Sequence, residues 1–289
     1  MSQLSLFLPP FAGDYSGACS VLFPCDCMVV ILDAGCCTRS YAEYDEPRWT
    51  SRRKPAFSAQ IRTLDTVMGD EAGIIDQVVD AAGDLEPSCI ALVGTPVPAI
   101  VGMDLAGMAG DVARESGIPC LGVPTNGFET YERGISRALA ALAEAFAVPD
   151  IASSGLVSRA AIAVPAAGDF PEGSLPERPL RVNLLGATPL DLSSGDAVER
   201  WRDLLQERGI EVPFDGMAPF DAEDVAAWVR ADASVAVSWG GLRAARLLWE
   251  RAGVPYAVGV PVDERAADLL AARVRRAVRG GRPAQHDVR

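Results

Sequence analysis

The apolar positions follow two rhythms that alternate along the chain. Short continuous runs, Met28-Val-Val-Ile-Leu32, Cys89-Ile-Ala-Leu-Val93 and the stretch 117–123, are rich in aliphatic and β-branched residues and end in aspartate, glycine or proline. Such runs predict buried strands. Elsewhere the apolar residues return every three or four positions: Ile74, Ile75, Val78 and Val79, then Ile100, Val101, Leu105, Met108 and Val112, then an alanine-rich stretch over 128–146. That spacing puts one apolar face on a helix. Residues 61–68 are a candidate second strand, and Asp70 a candidate cap for the helix after it. Residues 1–27, broken by Pro9, Pro10, Gly13, Gly17 and Pro24, read as loop-rich around a short apolar segment at 21–23. Gly94-Thr-Pro-Val-Pro98 reads as a turn that neither a helix nor a central strand tolerates.

The rhythm lapses over 149–179, where Ser-Ser-Gly, Ala-Ala-Gly-Asp and Pro-Glu-Gly leave little periodicity beyond a short candidate strand at 160–164. Most of this reads as a connection between domains. Alternation resumes with a strand at 181–186 and its exit loop Gly186-Ala-Thr-Pro-Leu-Asp191. Helices are predicted over 196–208, 221–230 (opened by an Asp-x-x-Asp cap), 239–251 and 264–279, and strands over 210–213, 233–238 and 255–258. Strand and helix in alternation demand parallel strands joined by crossovers. The predicted fold class is α/β: two doubly wound, Rossmann-like parallel-sheet domains, 1–148 and 180–289, joined by 149–179. Ligands of such folds bind beyond the C-terminal strand ends, so the strand-exit loops should line a crevice between the domains.

Charge and composition narrow the chemistry. Lys plus Arg number 26 against 39 Asp plus Glu, a formal charge of −13. A surface this acidic argues against nucleic acid as a partner, since phosphate contacts need a cationic face. The one histidine, His286, lies in a polar tail, which removes a histidine triad, metal site or general base. No apolar run is long enough to span a membrane, and the N-terminus lacks the basic and apolar regions of a signal peptide. A cytoplasmic location is the expectation, where cysteines serve as thiols or metal ligands more often than as disulfides.

Five of the seven cysteines fall within the first 37 residues. Cys36 and Cys37 follow the first predicted strand, where α/β proteins place chemistry, and Cys19 lies in a loop before it. Soft thiolates hold iron, and a [4Fe–4S] cluster ordinarily takes four. No local run supplies four at a recognised spacing, so two chains contributing two thiols each, Cys19 and Cys37, predict a cluster on a dimer axis. Cys89 and Cys120 sit inside strand runs and read as core, and Cys25-x-Cys27 lacks usual ligand spacing. Thr95 and Thr188 stand in similar exit loops, one per domain, and are candidate substrate contacts. The alternative for both is a tight turn. Tyr41 and Arg48, further candidate substrate contacts, lie among Tyr44, Asp45, Glu46 and Trp49 just past the thiols, either in a polar loop anchored by aromatics or on a cluster-side or dimer surface. Trp239-Gly-Gly opens a helix without bulk, for close packing or a ligand. No phosphate-binding glycine motif is present.

Several stretches together resemble the nitrogenase component 1 type oxidoreductases, closest to short two-domain members not tied to nitrogen fixation. They are Phe11-Ala-Gly-Asp-Tyr-Ser-Gly-Ala-Cys19, Asp33-Ala to Cys37-Thr with Tyr44-Asp-Glu-Pro-Arg-Trp49, Leu92-Val-Gly-Thr-Pro-Val-Pro98 with Gly102-Met-Asp104, Gly117-Ile-Pro to Thr125-Asn-Gly-Phe128, and Val182-Asn-Leu-Leu-Gly-Ala-Thr-Pro-Leu-Asp191 with Gly253-Val-Pro-Tyr256. The resemblance implies a homodimeric electron-transfer reductase, with an iron–sulfur cluster near a subunit interface. It also implies an ATP-dependent iron-protein partner and a small-molecule substrate, a tetrapyrrole-like one by analogy. Cys37 matches the family's cysteine after the first strand, with Gly35-Cys36 an alternative register, and Cys19 matches an earlier one. A third cluster cysteine would fall near Thr95 or Pro96, neither a thiol. No cysteine follows Cys120, so the ligands of the nitrogenase cofactor have no counterpart, nor does the third domain of the large subunits. Dinitrogen is therefore not the expected substrate. The other reading of the same fold is a cluster-free ligand-binding protein or a scaffold for metallocofactor assembly.

Overall fold

The computed structural model describes residues 12–50, 56–62, 71–148, 175–190, 192 and 196–284. The candidate strand at 160–164, the Asp70 cap, most of the 149–179 connection and His286 lie outside these residues. Two four-stranded, wholly parallel sheets form the frame. The first has the order β2-β1-β3-β4, from β1 (Cys27–Ile31), β2 (Ala56–Ser58), β3 (Cys89–Val93) and β4 (Cys120–Val123). The second has the order β6-β5-β7-β8, from β5 (Leu180–Leu185), β6 (Ile210–Phe214), β7 (Ala233–Ala236) and β8 (Tyr256–Val258). Ten helices accompany them among the described residues: α1 (Asp14–Leu22), α2 (Cys36–Ser40), α3 (Glu71–Leu85), α4 (Pro96–Val101), α5 (Leu105–Ser116), α6 (Tyr131–Leu142), α7 (Asp196–Gln206), α8 (Ala222–Ala226), α9 (Trp239–Ala252) and α10 (Glu264–Gly280).

Every residue of β1 and β3 is buried, because helices cover both faces of the first sheet. Met28, Val30 and Leu32 pack with Ile74, Val78, Met108 and Val112 of α3 and α5. Val29 and Ile31 point the other way, into a core that holds α1 and α6 and continues to Leu185, Ala236, Ala244 and Leu248 of the second unit. The two sheets therefore share one apolar layer, built on α1, α6 and α9. Glycine makes this layer thin. A Cβ on Gly134 of α6 would stand 1.6 Å from the Asp14 carbonyl oxygen, and one on Gly17 of α1 2.0 Å from that of Tyr131. A Cβ on Gly240 would meet Ile135 at 2.4 Å, so Trp239-Gly-Gly serves close packing of α9 on α6.

Several boundaries differ from the expectations. The segment 14–22, read as loop, is helical: its glycine, Gly17, is tolerated because α6 presses on it. Beside β1 the structure places the strand Ala56–Ser58, a three-residue edge strand defined by its pairing with Val29 to Ile31 and not by its own apolarity; of the candidate strand 61–68, residues 61 and 62 are not strand and 63–68 lie outside the described residues. Pro96 and Pro98 lie within the first turn of α4, where a missing amide hydrogen goes unused. The helix predicted through Ile100 to Val112 is two, parted at Gly102, which has φ +74°. The polar stretch after Cys37 is also helical, passing from α2 into a π-helical turn, Tyr41–Asp45, and a 3-10 turn, Pro47–Thr50. The Asp221 cap is present and reciprocal with Asp224. No helix among the described residues is long and apolar enough to cross a membrane.

Candidate functional site

The site grows from the C-terminal end of β1. Asp33, 1% exposed, follows the strand, and its carboxylate collects three donors: the Thr38 amide at 2.8 Å, the Thr38 hydroxyl at 3.0 Å and the Ser58 hydroxyl at 2.6 Å. Gly35 then turns the chain at φ +99°, a conformation a side chain resists, and α2 begins at once. The outcome is that Cys36 is exposed and Cys37 half-buried on the first turn of α2.

Three exit loops converge beside Cys37. The Thr95 hydroxyl, beyond β3, donates to the Leu32 carbonyl at 2.7 Å, tying that loop to the end of β1. The Thr125 hydroxyl, beyond β4, donates to the Gly94 carbonyl at 2.6 Å. The Cys37 thiol lies beside Tyr15 of α1 and Thr95, near enough for both to influence its titration. Burial and then the Asp33 carboxylate raise the Cys37 thiol above its ordinary range, while Tyr15 and Thr95 act against the rise. Burial, and then the nearby Cys37, push the Tyr15 phenol up to about 12. Below the loops, the fully buried Asp14 carboxylate accepts from the amides of Asn126 and Gly127 and pairs with Arg137 at 2.7 Å. That pair binds α1, the β4 exit loop and α6 together. It spans over a hundred residues of sequence and leaves no local signal.

Cys19 lies deeper, 1% exposed on α1. The helical turns of 41–49 close over it. Tyr41 donates its hydroxyl to the Cys19 carbonyl at 3.2 Å, Arg48 reaches the Ser20 carbonyl at 2.7 Å, and Ser20 and Ser16 donate to Glu46 and Asp45. Arg48 also pairs with Glu46 at 2.7 Å and lies 4.6 Å from the Phe23 ring centroid. Burial, reinforced by Glu46, Asp33 and the Cys37 thiolate, holds the Cys19 thiol far above its ordinary range. Cys19, Cys37, Tyr41, Arg48 and Thr95 thus gather at one end of the first sheet. Thr188 lies beyond β5 in the second unit, 1% exposed. The counterpart of Thr95 there is Ser238, whose hydroxyl donates to the Gly186 carbonyl at 2.8 Å.

Among the described residues no three His, Cys, Asp or Glu side chains are disposed to hold one metal ion. Position 95, where a further thiol would stand, carries a hydroxyl already committed to Leu32. Among the described residues, then, one chain offers no ready donor group, and position 95 adds none. The exposed and half-exposed sulfurs of Cys36 and Cys37 fit a four-iron cluster only as half a donor set. Large apolar side chains ring the same end of both sheets: Ile100, Phe128 and Val262 follow strand exits, and Trp239, 79% exposed, opens α9.

No curated protein sequence matches the chain. The solved structure "Nitrogenase Cp1 at pH 6.5" superposes with a TM-score of 0.68 at 15% identity, over 95% of this chain and 51% of that one. "Nitrogenase Cp1 at pH 5" does so with a TM-score of 0.63 at 15% identity, over 92% and 55%. The chain spans about half the length of these structures, and the likeness is one of fold. A family model described as nitrogenase component 1 type oxidoreductase matches residues 14–286, nearly the whole chain, and the chain belongs to that family.

Proposed function

We propose that the chain is an iron–sulfur oxidoreductase subunit that passes electrons from an ATP-dependent iron-protein partner to a small conjugated molecule, tetrapyrrole-like by family analogy and not dinitrogen. One observation carries the reading: the Cys37 sulfur stands half-open where the exit loops of β1, β3 and β4 meet, with Cys36 exposed beside it. A [4Fe–4S] cluster shared across a homodimer then takes two thiols from each chain. Cys37 is the first. Cys36 is favoured over Cys19 as the second, because Cys19 is enclosed beneath Tyr41 and the Glu46–Arg48 pair. Bound there, the cluster would supply one-electron chemistry. The protein's own part is to fix α2 through Asp33 and to present the thiols beside the apolar rim. Thr95 and Thr188 shape the loops on either side of the substrate space, and Tyr41 and Arg48 hold α1 behind the thiols.

The test is iron and acid-labile sulfide per chain in anaerobically purified protein, with Cys19→Ala, Cys36→Ala and Cys37→Ala. About two irons per chain, lost in Cys36→Ala and Cys37→Ala and retained in Cys19→Ala, is the expected result. Loss in Cys19→Ala and not in Cys36→Ala would exchange the second ligand. No iron in the native protein, even after reconstitution, would leave the cluster-free binding or cofactor-assembly reading in its place. What supports that second reading is that no three-donor group occurs among the described residues of one chain.

A further inference from the structure

A second thiol group lies at the opposite end of β1. Cys27 opens β1 and Cys89 opens β3, and the two are direct partners in the parallel ladder. Paired residues on adjacent strands point to the same face, and strands stand about 4.8 Å apart, within the Cα separation a disulfide spans. Cys25, two residues earlier, joins them, close enough that the three thiols shift one another's titration, while the Cys27 thiol donates to the Met28 carbonyl at 3.7 Å and the Cys89 thiol to that of Asp26 at 3.9 Å. All three are at most 4% exposed and belong to the layer shared by the two sheets. Cys120 does not join them. It is in register with Ile90, and so lies on the other face with the α3 and α5 core.

The place is a seam. Cys25 forms a bridge to Phe220 of the second unit, with the Asp26 amide donating to the Phe220 carbonyl at 2.8 Å and the Phe220 amide to that of Pro24 at 3.1 Å. The three sulfurs are not disposed around a common metal position. What their contact permits is exchange between thiol and disulfide.

We propose that Cys25, Cys27 and Cys89 form a buried redox site, in which Cys27 and Cys89 close a disulfide that clasps β1 to β3 beside the seam. Cys25 is the third thiol, able to exchange into that bond. Within the group the neighbouring Cys25 and then Cys27 thiols hold Cys89 below the ordinary thiol range; Cys25 and then Cys89 raise Cys27; Cys27 acts to lower Cys25, but Cys89 and burial raise it on balance. The attacking group is therefore the Cys89 thiolate. The oxidant must be small and neutral to reach a sulfur this enclosed, and hydrogen peroxide is of that class. The Cys89 thiolate attacks one peroxide oxygen, giving a sulfenic acid and, after proton transfer, one water. The Cys27 sulfur then attacks the sulfenic sulfur, forming the S–S bond and releasing a second water. Two thiols are oxidised and one peroxide is reduced to two waters.

The experiment treats the reduced full-length protein with one equivalent of hydrogen peroxide. Remaining thiols are alkylated under native conditions, and a non-reducing digest is mapped by mass spectrometry alongside a thermal melt. A peptide pair joined through Cys27 and Cys89 is expected. Tm should rise by about 5–10 °C, because the bond closes a loop of about sixty residues, and the rise should reverse with dithiothreitol. Cys27→Ser should abolish both effects, and Cys120→Ser neither. The map on the native protein stands even if Cys27→Ser fails to fold. Three thiols still alkylated after denaturation, or a link formed only in urea, would overturn the site. A Cys25–Cys89 link in its place would overturn the pairing. Cys36 and Cys37 are mapped on separate peptides, so failure here is distinguishable from failure of the cluster reading.

Discussion

The two sheets repeat one plan. In each, the first strand lies inside the second, the third follows on its other side and the fourth closes the edge. In each, a hydroxyl beyond the third strand clasps a carbonyl beyond the first: Thr95 to Leu32 at 2.7 Å, Ser238 to Gly186 at 2.8 Å. The likeness stops at the loop after the first strand. Past β1 the chain carries a buried Asp33, a left-handed Gly35, two thiols and a helical detour that closes over α1. Past β5 it carries Gly186-Ala-Thr-Pro, and no cysteine occurs anywhere after Cys120. The scaffold is thus a property of the fold, and the thiol chemistry a property of one unit's loops.

The strongest way to break the comparison is to open the layer on which the second unit packs. Gly134 lets α6 lie against α1, and a Cβ there would overlap the Asp14 carbonyl, backbone that cannot yield as a side chain can. Gly134→Val should destabilise the protein by at least about 3 kcal/mol, because the two helices must separate and the shared layer open. Urea unfolding monitored by tryptophan fluorescence reads the loss, and a loss under about 1 kcal/mol would mean that α1 and α6 are not close-packed.

The clasps come next. Thr95 is fully buried, and Thr95→Val leaves the Leu32 carbonyl without its donor, a loss of about 1–3 kcal/mol. Ser238 is only part-buried, so water can replace its hydroxyl, and Ser238→Ala should lose about 1 kcal/mol or less. Equal losses would show that burial does not separate the two clasps.

Sequence legibility follows the same division between scaffold and loop. β1 and β3 are visible as apolar runs because parallel strands covered on both faces have no polar alternation to hide them. Helix α10 is visible from its period, and its Asp263 cap is seen in the structure. α1 was not legible: Gly17, Ser16 and Ser20 speak against a helix, and what makes it one is contact with α6, over a hundred residues away. The thiols after β1 were legible as chemistry from their position alone. Their orientation was not, because Gly35 sets it with a backbone angle that spacing does not encode. The similarity of the Thr95 and Thr188 loops suggested a pair, yet the partner of Thr95 is Ser238, a match that only topology supplies. The Cys25, Cys27 and Cys89 group was hidden for the same reason, since it depends on the register of β1 against β3.

The electrostatics of Cys37 sharpen the contrast within the first unit. Burial raises its thiol first and the Asp33 carboxylate second, while the Thr95 hydroxyl opposes both. At a given pH, less thiolate is present than on an ordinary cysteine. Asp33→Asn removes the negative charge, so the titration moves down and iodoacetamide alkylation at Cys37 becomes faster at neutral pH. Thr95→Val removes that opposing hydroxyl and should move it up, with slower alkylation. Peptide-resolved alkylation rates between pH 7 and pH 10 read both. Shifts in the same direction would mean that general loosening of the loops, and not charge, controls the thiol.

The smallest expected effect is a gain. Gly83 lies on α3, which covers the outer face of the first sheet and takes no part in the shared layer. It is exposed, and a Cβ there meets nothing within 4 Å. Its backbone is already helical, so alanine adds no strain and removes conformational freedom from the unfolded chain. Gly83→Ala should therefore stabilise the protein by about 0.5–1 kcal/mol. The same glycine-to-side-chain change would then have opposite signs on two helices of one sheet, unfolding it at α6 and strengthening it at α3. Urea midpoints for the two variants under one buffer make the comparison. A destabilising Gly83→Ala would show that α3 carries a close contact at that position, and the assignment of tight glycine packing to the inner face alone would fail.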